Sequence, residues 1–176
     1  MARLLNILGF AGVSLVLLVA FFYQLVLGEL PCPLCLLQRG AFVALGMGFL
    51  LNIRFGSSTA HYGIVLISAV IGAATSSRQM LLHFKPGDTG FGSAPLGLHF
   101  YTWGLVAFMA YVVYTGILLF IETGDRREEN AIQDGLGRAA LWLFLLVVAG
   151  NLVSTLLECG VGPCADNPTT YFWLQG

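Results

Sequence analysis

Residues 31–39 read Pro31-Cys32-Pro33-Leu34-Cys35-Leu36-Leu37-Gln38-Arg39 and stand at the junction of two long apolar stretches. Cys-x-x-Cys is a redox or metal spacing. Here it opens an apolar run long enough to be a membrane helix, so the two sulfurs fall at the membrane–water boundary. With that helix starting near Pro31, the free N–H groups and positive dipole end of its first turn favour a thiolate. Cys35 and Arg39 are then i and i+4, one turn apart on one face. A cation below a sulfur at the lip of a bilayer suits electron exchange between a thiol and a molecule dissolved in lipid.

The flanking sequence decides the class. Of 176 residues, 57% are hydrophobic and 10% charged, where a soluble domain carries roughly 25% charged residues. Apolar runs of transmembrane length cover residues 4–27, 34–53, 62–82, 101–121 and 139–157. The chain reads as an all-α integral membrane protein, a single polytopic domain over residues 1–176. The first run is preceded by Arg3 and followed by Gln24, Glu29 and Pro31 rather than a small-residue cleavage site. It is therefore expected to be a retained span and not a cleaved signal peptide. A net charge of −1 argues against nucleic acid as a partner.

Cations set the expected orientation. With the N-terminus inside, the inner segments hold Arg3, Arg54, Arg126, Arg127 and Arg138, the outer loops hold Lys85, and Arg39 and Arg78 lie within spans. Tyr101 and Trp103 at an outer helix end, with Tyr171 to Trp173 in the tail, fit an interfacial aromatic belt. Cys32 and Cys35 follow the first span; Cys159 and Cys164 follow the fifth. Both counts are odd, so both pairs emerge on one outer face. In a bacterium that face is the oxidising periplasm, where disulfides persist.

The loops divide by composition. The inner link 54–61 is short. Residues 122–138 are charged and Gly-punctuated, as expected of a solvated cytoplasmic loop or short surface helix. The outer loop 85–100 has four glycines and two prolines, which forbid a regular helix, and its apolar residues place it against the lipid surface. Cys159-Gly-Val-Gly-Pro-Cys164 closes a tight ring if bonded, with Gly160 and Gly162 supplying backbone freedom. Arg78, Gln79 and His83 lie in the outer half of the third span. A charge in lipid costs roughly 2.5–3.5 kcal/mol on insertion scales, so Arg78 either faces the bundle, bracketing a polar head group together with Arg39, or snorkels to the interface. His83, His99 and Asn151 are expected to serve packing or the interface.

These residues resemble the bacterial disulfide-bond formation protein B family, DsbB and its DsbI-like relatives. The similarity rests on the 31–39 stretch after the first span. A weaker match is Arg78-Gln79-Met80-Leu81-Leu82-His83, followed by Pro86, and the likeness spans roughly residues 1–121. It implies a four-helix membrane bundle that oxidises a periplasmic thioredoxin-fold partner of the DsbA type and passes the electrons to a membrane quinone, ubiquinone or menaquinone. Carried over by position, Cys35 is the thiolate engaging the quinone, Cys32 its disulfide partner, Arg39 the cation beside the quinone, and Arg78 a secondary contact. This sequence departs from the family in its second pair. The loop 85–100 has no cysteine, and a fifth span instead carries Cys159 and Cys164 on the tail. In the relay so implied, Cys159–Cys164 receives electrons from the partner and hands them to Cys32–Cys35.

Two rival readings use the same residues. A vitamin K epoxide reductase-like enzyme also joins quinone chemistry to two cysteine pairs, but its helix-opening Cys-x-x-Cys belongs to a late span rather than an early one. A soft-metal-binding membrane protein could use Cys-Pro-x-Cys as thiolates. It would want further ligands, and Met47 and Met80 are few and scattered; no metal is expected.

Overall fold

The computed structural model describes residues 2–85, 87–121 and 135–174. Five helices follow in order: α1 Ala2–Val26, α2 Pro33–Phe55, α3 Thr59–Leu82, α4 Phe100–Ile121 and α5 Gly135–Cys159. Each is long and apolar enough to cross a membrane. A helix is the natural answer in lipid because it satisfies its backbone N–H and C=O groups within the segment. The spans expected from sequence coincide with these helices to within a turn at each end. The largest differences are at α3, which begins three residues earlier at Thr59, and α5, which takes in Gly135 to Arg138 ahead of its apolar run. The loop expected from residue 122 otherwise lies outside the described residues.

The helix ends have local causes. Gly56 at φ +90° stops α2 while its N–H bonds to the Asn52 carbonyl, and Ser58 caps α3 by accepting from the Ala60 N–H. Gly160 at φ +64° stops α5, its N–H returning to the Leu156 carbonyl at 2.9 Å, a left-handed position suited to glycine. Gly162 is not in that region.

In packing, α2 lies against α1 and α3, α3 against α4, and α5 leans on α1 and touches α2. The core is Phe10, Val13 and Leu17 of α1, Phe42, Leu45 and Phe49 of α2, Val65 and Ala69 of α3, Phe108 of α4 and Phe144 of α5. Phe42 stacks on Phe108 with ring centroids 4.0 Å apart. Gly72 makes this possible, because a Cβ there would run into the Phe108 ring. Small residues at such contacts are how membrane helices approach closely. Leu15, Phe22, Val70, Ile117 and Leu146 point outward.

The end opposite the cysteines is pinned by amides. Asn6 donates to the Tyr62 hydroxyl at 2.9 Å, and Asn52 donates to Asn6 at 3.1 Å. Asn52 Oδ1 in turn accepts the Ser58 N–H at 3.1 Å. One buried cluster thus joins α1, α2 and α3. Tyr111 and Tyr114 tie α4 to α1 through the Gly9 and Leu5 carbonyls.

Candidate redox site at the cysteine end

Cys32 and Cys35 are disulfide-bonded, with Cα atoms 5.0 Å apart. Pro33 is the first residue of α2, two residues later than expected, and this makes Cys32 the helix cap. Its sulfur accepts the Cys35 N–H at 3.1 Å. The helix terminus therefore supports the Cys32 sulfur, where the sequence assigned that support to Cys35. The physical reason is position: a cap residue folds its side chain back over the first free N–H groups. Gln79 of α3 supplies donors to both sulfurs, its Nε2 lying 3.2 Å from Cys32 Sγ and 3.4 Å from Cys35 Sγ. Gln38 donates to Gln79 Oε1 at 2.8 Å and fixes which way that amide points. Both glutamines are buried.

Beside this disulfide lies a cavity of about 480 Å³ between α1, α2 and α4. Cys35 lines it and Cys32 does not. Gln38, Arg39 and Gln79 make its polar end, while Ala20, Phe42 and Ala107 contribute apolar wall. Leu15 and Val19 line it and are also exposed on the outer surface of α1, as is Trp103 on α4. The mouth therefore opens sideways, between the apolar outer faces of α1 and α4. Phe91, Pro95 and Leu96 roof it. The roof is tied down where Ser93 bonds to Glu29 through both its N–H and its hydroxyl, and where the Trp103 indole donates to the Pro95 carbonyl at 3.0 Å. Further along the loop, the Gly90 N–H and the His83 ring hold the Asp88 carboxyl below the usual carboxylate range.

Arg39 stands one turn below Cys35, as expected, but its guanidinium is turned to α1 and α5. It donates to Gln24 Oε1 at 2.6 Å, the Ala20 carbonyl at 3.0 Å and Asn151 Oδ1 at 3.2 Å. Of the two places open to Arg78, the structure shows the outward one rather than a position beside Arg39. Arg78 is exposed on α3 and lines no part of the cavity, because one residue along a helix turns the side chain by about 100°. The inward position belongs to Gln79. The arrangement brings Cys32, Cys35 and Arg39 together and leaves Arg78 outside.

Cys159 and Cys164 also form a disulfide, with Cα atoms 4.5 Å apart. This pair lies at the same end of the bundle, since Gln24 near the end of α1 donates to Ser154 of α5 and, at 3.2 Å, to the Tyr171 hydroxyl of the tail. No hydrogen bond among the described residues joins the two disulfides directly. They are linked through a polar face of α5, where Asn151, Ser154 and Glu158 are all buried, against Arg39 and Gln24. The sequence reading did not place Gln24, Gln38, Gln79 or Glu158 in the site. Their signal was a polar side chain inside an apolar run.

The fold and site thus define a helical membrane bundle with a disulfide whose Cys35 lines an apolar cavity between α1, α2 and α4. The family model described as Disulfide bond formation protein DsbB matches residues 2–94, and the chain belongs to that family. Disulfide bond formation protein B of Xanthomonas euvesicatoria pv. vesicatoria (strain 85-10) is 39% identical over 87 residues, which cover 47% of this chain and 51% of that one. The protein of the same name from Xylella fastidiosa (strain Temecula1 / ATCC 700964) is 36% identical over 86 residues, 46% of this chain and 50% of the other. Disulfide bond formation protein B 1 of Pseudomonas fluorescens (strain Pf0-1) is 30% identical over 133 residues, 56% of this chain and 78% of the other. The chain thus spans about half the length of the first two relatives. No solved structure matches it. Five spans and this family make the chain a multi-pass bacterial inner-membrane protein.

Proposed function

We propose that the chain is a quinone-linked thiol oxidase that reoxidises a periplasmic thioredoxin-fold dithiol of the DsbA type and so supports disulfide formation, acting as a single polytopic domain. The N-terminus is then cytoplasmic and both cysteine pairs periplasmic. The observation that carries this reading is Cys35 lining a lipid-facing apolar cavity whose polar end holds Arg39, Gln38 and Gln79. Those residues fit a quinone, since apolar walls suit its ring and tail and amide and guanidinium donors suit its carbonyls. A quinone held there supplies a two-electron, two-proton acceptor. Family membership supports this reading over a vitamin K epoxide reductase-like enzyme or a soft-metal-binding protein.

Within the relay, a partner thiolate attacks Cys159–Cys164 and forms a mixed disulfide, which the partner's second thiol resolves. The reduced tail pair then reduces Cys32–Cys35. Gln79 stabilises the sulfur that carries negative charge, and the Cys32 cap position shares that task. Arg39 holds α1, α2 and α5 around the polar end of the cavity. Arg78 takes no part in holding the quinone. The test is anaerobic reduction of ubiquinone and menaquinone analogues by the purified protein with a reduced DsbA-type partner. Quinol formation that Cys35→Ser abolishes supports the reading; quinol formation independent of Cys35 overturns it.

A further inference from the structure

Glu158 sits one residue before Cys159 at the end of α5, only 6% exposed, and no described residue donates a hydrogen bond to either of its carboxylate oxygens. Buried polar groups are nearly always partnered, so this one calls for a reason. It lines a cleft of about 230 Å³ together with Cys159, Pro163, Asn167, Thr169 and Phe172. A buried carboxyl and a disulfide thus share one small cleft, at the end of the bundle where the tail turns back. Arg39 from α2 interacts electrostatically with Glu158 and with Tyr171 from the tail. Gln24 of α1, which is neutral, bonds to Ser154 and Tyr171 alongside, and α5 itself adds Cys159 to the cleft.

We propose that Glu158 is the proton-handling group of the tail disulfide, accepting the proton of an incoming thiol and returning it to the sulfur that leaves. Thiol–disulfide exchange requires this service. A dithiol arrives with two protons on sulfur, reacts only as thiolate, and must leave two thiols behind. In the first step the carboxylate takes a proton from the incoming thiol. The thiolate then forms a bond to one tail sulfur, the Cys159–Cys164 bond breaks, and its electron pair goes to the other sulfur, which takes the proton from Glu158. The second thiol repeats the exchange on the mixed disulfide. The incoming dithiol is oxidised by two electrons, the tail pair is reduced by two, and two protons have crossed. The inference rests on the reading of Cys159–Cys164 as the pair that meets the partner.

The test uses the full chain in detergent, with Cys32→Ser and Cys35→Ser so that only the tail pair reacts, and dithiothreitol as the probe. Reduction is followed by maleimide mass tagging between about pH 5.5 and 7.5, below the value of about 8.5 at which a free thiol ionises. The native tail should show a shoulder in the logarithm of the rate against pH. Glu158→Gln should remove that shoulder, leave a slope of one, and slow the reaction about a hundredfold near pH 6, the low end of what a positioned base contributes. Glu158→Asp, which withdraws the carboxyl by one methylene, should keep the shoulder at a reduced plateau. A slope of one throughout in the native tail overturns the proposal even if the Gln variant fails to assemble, and so does a shoulder that persists in Glu158→Gln or a plateau unchanged in Glu158→Asp. Dithiothreitol needs neither partner nor quinone, so this outcome is read separately from the partner assay on the tail double variant.

Discussion

Gln38 donates to Gln79 Oε1 at 2.8 Å, and this single bond turns the Gln79 amide nitrogen toward the sulfurs of both Cys32 and Cys35. Two residues on different helices thereby set the electrostatics of a disulfide that neither of them forms.

Replacing Gln79 by Leu should make Cys32–Cys35 harder to reduce. The donor stabilises the charged, reduced form, and a hydrogen bond to a charged group contributes about 1.5–3 kcal/mol. For a two-electron couple that is a fall of about 30–60 mV. Redox titration against dithiothreitol in the Cys159→Ser, Cys164→Ser background measures it. Gln38→Leu should shift the couple in the same direction by less, and an unchanged potential in both variants would sink the idea.

Arg39→Ala should raise the apparent Michaelis constant for quinone and slow reoxidation, while Cys32–Cys35 still forms. The variant also leaves Gln24 and Asn151 without their cation, at about 1–3 kcal/mol for each unsatisfied buried group. A melting temperature lowered together with the kinetic defect is the expected result; unchanged quinone kinetics would leave Arg39 only a structural clamp.

In the double variant Cys159→Ser, Cys164→Ser, quinone should still reoxidise Cys32–Cys35 while the partner accumulates reduced. Alkylation trapping in cells reads both states at once. A partner oxidised at the normal rate would make the tail bond a staple.

Gly72→Val should destabilise the bundle by about 1–3 kcal/mol, the usual cost of overpacking, since its side chain meets the Phe108 ring that stacks on Phe42. Thermal unfolding in detergent tests this. Gly63→Val, at a position with nothing near the added atom, serves as the control.

A phosphatase fused after Gly176 should be active, and one fused at Ser57, in the link between α2 and α3, inactive. The opposite pattern would place both cysteine pairs in the reducing compartment.

The helices were legible because a span in lipid must be long, apolar and helical, and the 31–39 stretch was legible because residue type, spacing and position agree there. The partners of the sulfurs were not. Arg78 and Gln79 are adjacent polar residues in one span, and only packing against α2 and α4 decides that Gln79 turns inward while Arg78 turns out. Arg39 was placed at the right depth, but its direction depends on Asn151 of α5, 112 residues away, which no local pattern encodes. Glu158 was hidden by its neighbour: a charge beside a cysteine at a helix end looks like ordinary interface.

The roof over the cavity, fastened by Ser93 to Glu29, contains no cysteine. A loop that ferries electrons must swing between stations and cannot also be a fixed cover. Under the proposed relay this chain divides the labour, the tail doing the carrying and the loop staying put. Access to the lipid-side acceptor and commerce with the soluble partner can then drift independently. Substitutions at Phe91 or Leu96 would alter which lipid-soluble molecules enter, and substitutions on the tail would alter which proteins are served, without either change disturbing the other.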